Sequence, residues 1–266
     1  MKKFSISLMI VAIVAMFAQG VWAGDAEDLM KKSHMAYYYA GDDGLSKVTM
    51  KIINKKGKER IREFTMLRLD ITEGGEQKYY TYFKKPSDVS RLTFMVWKNP
   101  DANDDRWLYV PAVDLIKRLS ADDKNSSFVG SDFSYEDVSG RHWTEDTHTI
   151  VSENETVNDR AAFLISSKPK QEKDSFSEKK TWIDKETFLP LKEEYYNDKG
   201  KLFRIFTADK IEEIDGIITI TQRTMENVKK KQRTTIIFDS IEYNVGMKEN
   251  IFTERYLKNP PRKYIK

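Results

Sequence analysis

Cysteine is absent from the 266 residues, and histidine occurs only three times. Without cysteine the chain cannot form a disulfide framework, a thiolate metal site, a catalytic thiol or a lipid-modified cysteine. The three histidines, His34, His142 and His148, lack the spacing of a zinc site, and we expect each to be a structural side chain. A serine-nucleophile elbow, a phosphate-binding glycine loop and an EF-hand calcium loop are also missing. The sequence therefore predicts no metal, no cofactor and no enzymatic activity.

Charge of one sign is not in excess either. The chain has 45 Lys and Arg against 42 Asp and Glu. A protein that binds nucleic acid usually carries a clear basic surplus, so no nucleic-acid partner is expected. The run Lys229-Lys230-Lys231 is interpreted as a hairpin turn and not as a phosphate-binding patch.

Long hydrophobic runs are limited to the beginning of the chain. Lys2 and Lys3 precede an apolar run over residues 8–18, and Val21 and Ala23 supply small residues at the positions that a signal peptidase reads. The run is too short for a comfortable membrane span. We predict that residues 1–23 are a signal peptide cleaved after Ala23 and that the protein is exported.

Alternation of apolar and polar residues dominates the rest of the sequence. Residues 24–40 predict an amphipathic helix that ends near Gly41. About a dozen strands follow, with short turns between them. They lie near residues 48–52, 59–71, 78–84, 91–98, 107–110, 147–152, 160–167, 178–184, 189–197, 201–214, 216–227 and 232–243. Short connections imply antiparallel neighbours, and a sheet of this size must curl toward a barrel or split into a sandwich.

Several of these strands are apolar or aromatic on both faces, for example residues 79–83, 92–97 and 107–110. A sheet with one wet face would show one polar side on each strand. Both faces must therefore be shielded in part, either by a filled core or by an apolar cavity that takes a hydrophobic ligand. Composition alone leaves these two alternatives open.

The stretch over residues 105–140 has the longest loop. A strand stops at Pro111, a polar loop follows, and residues 128–132 predict a turn into a short helix capped by Ser131 or Asp132. The acids of this stretch could form the carboxylate pair of a hydrolase, although turns and caps are their commoner use. These acids are Asp122, Asp123, Asp132, Glu136 and Asp137.

Three segments resemble the outer membrane lipoprotein-sorting proteins, the LolA-like group. They are WLYVP at 107–111, KRL at 117–119 and, as the most specific of the three, FVGSDFSYED at 128–137. This resemblance covers nearly all of residues 24–266 and implies one domain. The implied fold is mainly β with a few helices: a single large antiparallel sheet curled into an incomplete barrel, covered by an N-terminal helix and a short central helix. The resemblance also implies a periplasmic, monomeric carrier with an apolar cavity for acyl chains.

The function predicted on this basis is a carrier that moves the acyl chain of a lipoprotein or lipid toward the outer membrane. An inner-membrane transporter and an outer-membrane acceptor are its implied partners. From alternation we predict that Phe94, Val96, Trp107 and Tyr109 line the cavity, with Phe133 and Tyr135 on the covering segment. The alternative is a non-enzymatic periplasmic adaptor that docks on a lipid-exporting transporter of the inner membrane without holding lipid itself.

Overall fold

The computed structural model describes residues 25–171 and 174–265. The predicted signal peptide, residues 1–23, lies outside the described residues. Within the described ranges, no helix has both the length and the apolar character needed to cross a membrane.

Across residues 25–171 and 174–265, thirteen strands form one antiparallel sheet that is not closed into a barrel. The strands are β1 Asp43–Ile53, β2 Glu59–Asp70, β3 Gln77–Lys85, β4 Thr93–Lys98, β5 Asp105–Val110, β6 Leu115–Leu119, β7 Asp146–Val157, β8 Arg160–Pro169, β9 Glu178–Asp184, β10 Pro190–Tyr196, β11 Leu202–Ile214, β12 Ile217–Asn227 and β13 Gln232–Tyr243. Their order is β6-β5-β4-β3-β2-β1-β13-β12-β11-β10-β9-β8-β7. The predicted fold class, an incomplete barrel with covering helices, is confirmed.

In the described part of the chain, three α-helices accompany the sheet: α1 Ala26–Tyr38, α2 Tyr135–Ser139 and α3 Glu254–Lys258. Asp25 caps the beginning of α1 through a hydrogen bond from the Glu27 amide, and Glu27 and Asp28 occupy its first turn. The prediction of a helix in this region is therefore confirmed. The apolar side of α1 packs on the sheet through Leu29 and Met30, which join a buried cluster with Ile165 and Ile183.

Strand β6 was missed by the sequence analysis. Its residues are mostly exposed, because β6 is an edge strand and only Leu119 is buried. A short polar edge strand has no alternation to detect. Periodicity therefore does not predict β6, and the polar loop predicted after residues 117–119 begins where β6 ends.

The central segment, residues 120–145, connects the two edge strands β6 and β7. It covers the face of the sheet that we call the inner face. Phe128, Phe133, Tyr135 and Val138 of this segment join the large buried cluster that includes Met50 and other side chains of the sheet. Because the segment joins one edge to the other, it spans the gap that an incomplete barrel leaves open.

The opposite, outer face is covered by the C-terminal tail, residues 244–265. Phe252 and Leu257 of the tail are fully buried in a second cluster, against Tyr80 and Met95 of the sheet. This arrangement explains why β3 to β5 are apolar on both faces. One face packs against the central segment and the other against the tail.

The cap predicted for the central helix is wrong. Ser134, and neither Ser131 nor Asp132, caps α2: its hydroxyl accepts from the Asp137 amide at 3.1 Å, and the Asp137 carboxylate accepts from the Ser134 amide at 2.6 Å. Asp132 is occupied elsewhere, because its carboxylate accepts hydrogen bonds from Thr234 at 2.7 Å and Gln232 at 2.9 Å. These bonds tie the central segment to β13.

Candidate binding cavity

The main inner cavity lies between α1 and the inner face of the sheet. Its volume is about 100 Å³. Tyr37 and Tyr38 line it from α1, and five strands, β1, β2, β3, β12 and β13, contribute the facing wall. The wall side chains include Ser46 of β1, Met66 of β2, Ile220 of β12 and Phe238 of β13.

A narrower space of about 20 Å³ lies under the central segment. Phe128 and Phe133 of the central segment line one side, and strand side chains, among them Phe64 and Ile236, line the other. Met66, Arg223 and Phe238 line both spaces. The two spaces are therefore neighbours along one largely apolar inner surface.

The described conformation is closed. A cavity of about 150 Å³ in a protein core accommodates one benzene ring, and a water molecule takes about 30 Å³ of liquid volume. At about 100 Å³, the main cavity is smaller than this benzene-sized cavity. A long apolar ligand would fit only if α1 or the central segment moved away from the sheet.

Arg223 of β12 is a half-buried cation in this apolar wall. Its guanidinium carbon lies 5.6 Å from the ring of Phe133, 5.4 Å from that of Phe238 and 5.5 Å from that of Tyr37. The guanidinium also donates to the Tyr37 hydroxyl, whereas its Nε has no hydrogen-bond partner. Arg223 thus links α1, the central segment and the sheet through cation–π contacts and one hydrogen bond.

Arg68 of β2 holds the end of α1 against the sheet. Its guanidinium donates to three carbonyl groups at and just after the end of the helix, those of Tyr38, Ala40 and Gly41, the last at 2.7 Å. Asp70 lies on the other side of the guanidinium, with Oδ1 at 3.2 Å from Nη1. Burial raises the pKa of Asp70 to about 6, despite the opposing charge of Arg68.

Ion pairs fix the other end of the central segment. The side chain of Arg141 is 7 % exposed. Its Nη2 lies 2.8 Å from Oδ1 of Asp146, and its Nη1 lies 2.8 Å from Oδ2 of Asp174. Glu136 of α2 pairs with Lys124 at 2.8 Å; burial raises the pKa of Glu136, and the neighbouring cations oppose this rise. Of the acids that could have formed a hydrolase pair, Glu136 is thus held in an ion pair, Asp137 in the cap of α2 and Asp132 in hydrogen bonds to β13.

Two histidines meet where α1 contacts the central segment. The rings of His34 and His142 lie 5.1 Å apart, edge to face. Burial lowers the pKa of both imidazoles, and the nearby ammonium of Lys98 lowers both further. Lys98 itself donates to the Gly140 carbonyl of the central segment. This contact therefore consists of neutral imidazoles at neutral pH.

The six residues predicted to bind ligand are all buried, but the structure brings only four of them together. Phe94, Val96, Phe133 and Tyr135 belong to the inner-face cluster, and the rings of Phe94 and Tyr135 lie 4.9 Å apart. Phe133 also lines the narrower space. Their role in ligand binding stays a prediction.

Trp107 and Tyr109 lie on the outer face, in the cluster covered by the tail. The reason is the register of β4 and β5, which places Met95 opposite Trp107 and Phe94 opposite Leu108. Directly opposite residues share a face, so Leu108 accompanies Phe94 and Trp107 does not.

Sequence reasoning missed Arg223 and Phe238 as cavity residues. One signal was available for Arg223, since it lies two residues from the buried Met225 and therefore on the same side of β12. A basic residue within an apolar inner face indicates a site or a structural contact. No comparable signal distinguished Phe238 from other core aromatics.

Comparisons with known proteins agree with this architecture. A protein-family model described as "Uncharacterized protein" matches residues 75–259. A search of curated proteins finds no match. Among solved structures, the chain is 26% identical to a domain from Vibrio parahaemolyticus named for outer membrane lipoprotein sorting, with a TM-score of 0.81 and coverage of 88% of this chain and 98% of that one.

Two further solved structures are similar. A DUF1329 family protein from Desulfovibrio piger is 28% identical with a TM-score of 0.79, over 86% of this chain and 97% of that one. A LolA superfamily protein from Nitrosomonas europaea shares the fold at 17% identity and a TM-score of 0.67, over 87% of this chain and 98% of that one. The chain therefore belongs to the family whose model matches residues 75–259, and its similarity to these solved structures confirms the predicted resemblance to the outer membrane lipoprotein-sorting proteins, the LolA-like group.

Proposed function

We propose that the protein is a non-enzymatic periplasmic carrier that binds an acyl chain of a lipid or lipoprotein against the inner face and carries it toward the outer membrane. The observation that supports this most is the apolar inner surface, which is closed only by α1 and the central segment. The similar domain from Vibrio parahaemolyticus is named for the same process.

Burial of methylene groups provides the driving force. Each methylene hidden from water contributes about 0.8 kcal/mol, so an acyl chain of ordinary length contributes on the order of 10 kcal/mol. Separating α1 from the sheet costs part of this energy, because apolar contacts of the helix are lost. The ligand replaces those contacts with its own, so binding and opening proceed together.

In the open state, Phe94, Val96, Phe133 and Tyr135 form part of the ligand-binding wall. They already lie in one cluster between the sheet and the central segment. We do not extend this role to Trp107 and Tyr109, because the tail covers them on the outer face.

Cavity filling tests the binding site. Ala36 of α1 lines the main cavity, and Ala36→Trp would place a large ring where the acyl chain is proposed to enter. We expect at least a tenfold weaker uptake of a fluorescent fatty acid by the delipidated protein, measured by titration. Ala112→Trp, in the exposed turn after β5, is the matched control and should bind like the wild type.

Two results would contradict the proposal. One is a delipidated wild-type protein that takes up neither fatty acid, phospholipid nor lipopeptide. The other is native mass spectrometry that shows a bare chain under conditions that preserve lipid complexes, which would favour the adaptor alternative.

Sequencing the N-terminus of the exported protein tests the proposed location, with Gly24 expected as the first residue.

A further inference from the structure

Two neighbouring hairpins carry six lysines at one end of the sheet. The β1–β2 turn contains Lys55, Lys56 and Lys58, and the β12–β13 turn contains Lys229, Lys230 and Lys231, as predicted for that lysine run. The two turns are adjacent because β1 pairs with β13, with Ile53 opposite Arg233. We call these six lysines the basic rim; all six are exposed.

Asparagines fix the backbone of the basic rim and leave the ammonium groups available. The Asn54 side chain accepts from the amides of Lys56 at 2.9 Å and Lys58 at 3.1 Å, and the Asn227 side chain accepts from the Lys230 amide at 2.9 Å. Among the described residues, no carboxylate forms an ion pair with any of the six. The positive charge of the basic rim is therefore not neutralised within the described protein.

The space between the two hairpins is a wide groove of about 550 Å³. Five of the six lysines line it together with Asn54 and Gln232, and no acidic residue is among its lining residues. A lysine ammonium group is a point charge on a flexible side chain. It therefore suits phosphate groups whose positions vary better than a protein surface of fixed shape. The groove also lacks the large apolar or aromatic anchors of protein–protein interfaces.

Two arginines continue the positive charge from the basic rim toward the inner face. Arg60 of β2 donates to the Gly130 carbonyl of the central segment at 3.2 Å. Arg62 is only 7 % exposed, and within the described part of the chain its Nε and Nη1 have no hydrogen-bond partner, although the charge of Asp88 acts on the guanidinium. A methyl group on Gly130 would lie 3.8 Å from Arg60 Nη1 and 3.8 Å from Arg62 Nη2, so both guanidinium groups face this loop.

A buried guanidinium with unsatisfied donors is costly, and such groups usually have an anionic partner. We infer that the basic rim docks the protein on an anionic phospholipid surface, with headgroup phosphates between the hairpins and against Arg60 and Arg62. The inference deepens the proposed function and rests on it, because it takes the membrane as the source or destination of the cargo. It also connects docking to the central segment, since a phosphate would compete with the Gly130 carbonyl for Arg60.

Vesicle co-sedimentation tests the inference. The purified protein is mixed with phosphatidylcholine vesicles with or without phosphatidylglycerol, at low and at high salt. We expect binding only to the anionic vesicles, and loss of this binding at high salt because counterions screen the charges. Equal binding to neutral vesicles, or binding that salt does not weaken, would overturn the inference.

Charge removal identifies the surface. In Lys56→Gln/Lys229→Gln/Lys230→Gln, we expect about a hundredfold weaker binding to the anionic vesicles, since each lysine near such a surface contributes about 1 kcal/mol. If this variant bound the vesicles as tightly as the wild type, the basic rim would not be the docking surface.

The matched control removes the same charge elsewhere, in Lys31→Gln/Lys210→Gln/Lys248→Gln, where all three lysines are exposed. We expect vesicle binding to change less than threefold in this control. A loss as large as in the rim variant would show that net charge alone decides binding, and the inference would fall.

Fatty-acid uptake without vesicles separates this inference from the proposed function. The rim variant should take up the fluorescent fatty acid like the wild type, because the basic rim does not line the cavity. A wild type that takes up fatty acid but ignores anionic vesicles, or that binds only an acidic protein, refutes docking and leaves the carrier function intact. A wild type that binds anionic vesicles but no fatty acid refutes the carrier function alone.

Discussion

Single buried arginines in this protein have different environments. Among the described residues, neither Nε nor Nη1 of Arg62 has a hydrogen-bond partner, whereas the similarly buried Arg106 leaves only its Nε unpaired and places Nη2 2.7 Å from Asp104. Burial lowers the pKa of Arg62, with the charge of Asp88 opposing it. Burial of a charge without a hydrogen-bonding partner opposes folding, whereas a good pair offsets that cost. The two side chains should therefore respond in opposite directions to the same substitution.

We predict that Arg62→Met leaves the free energy of unfolding unchanged or raises it by about 1 kcal/mol, because an unsatisfied buried guanidinium is replaced by an apolar chain of similar length. Urea denaturation measures this change. Arg106→Met is the comparison, and it should lower the free energy of unfolding by about 3 kcal/mol, because Asp104 loses its buried partner. A loss of similar size in both variants would show that Arg62 is a structural residue with satisfied contacts.

Residues also show where sequence reasoning stops. Alternation assigned Trp107 and Tyr109 to one side of a strand, which is correct within β5. It could not assign that side to the inner face, because the pairing of Trp107 with Met95 is a tertiary property. Similarly, Ser131 and Asp132 have side chains that can cap a helix. The Asp132 side chain instead bonds to β13, and Ser134 is the residue that caps α2.

At the scale of elements, α1 is held by different interactions along its length. Its first half packs through Leu29 and Met30 in an apolar cluster. Its end is held by the bonds of Arg68 and by Gln77, whose amide donates to the Tyr38 carbonyl at 2.8 Å. Polar bonds of this kind break and reform with little cost in water, so the end of α1 is the part best suited to separate first.

We predict that Arg68→Met increases the hydrogen exchange of the last turns of α1 by about tenfold, because three carbonyl groups lose a charged donor. Hydrogen exchange with mass spectrometry on residues 26–40 measures the effect. Arg255→Met, in the exposed part of α3, is the control and should leave exchange in α1 unchanged. Unaltered exchange in Arg68→Met would show that the apolar contacts alone hold the helix.

The sequence predicts those strands that bury one or both of their faces, because their apolar residues form a regular pattern. The helix over residues 24–40 and twelve of the strands were identified from their periodicity, and their antiparallel arrangement from the short turns. Strand β6 escaped because Leu115 is exposed and the charged Lys117 and Arg118 follow it. The path of the central segment over the inner face could not be read from a local pattern, because it depends on which strands form the edges.

For the whole molecule, pH is expected to change stability through the buried histidines. Burial lowers the pKa of His34, His142 and His148 below the ordinary value of about 6.5. Below that value the unfolded chain binds protons that the folded protein does not. The contribution of the neutral histidines to the free energy of unfolding is therefore fully present above about pH 6.5, and it is lost as the pH falls through their lower pKa values in the folded protein. Asp70 acts in the opposite direction, because its raised pKa of about 6 makes the folded form bind a proton first as pH falls.

We predict that the melting temperature falls as pH is lowered from about 7 to about 5, and that His34→Gln falls less steeply than the wild type, since one depressed imidazole has been removed. Calorimetry over a pH series measures both slopes. Asp70→Asn should instead steepen the fall, because one of the carboxyl groups whose pKa is raised in the folded protein is lost; Asp132 and Glu136 are the others of this kind that act against the histidines. Equal slopes for His34→Gln and wild type would mean that the protonation of His34 does not contribute to stability.

The pairing of β1 with β13 places the first and last strands of the domain side by side in the middle of the sheet. Thr49 donates to Asp239 across this pair at 2.8 Å, although the two residues are 190 positions apart. The two halves of the sheet therefore cannot be joined until the final strand has left the ribosome, and contacts of such long range also make folding slow. A nascent chain with this topology can form the β1–β6 meander early, but it joins the two halves of the sheet only once β13 is available.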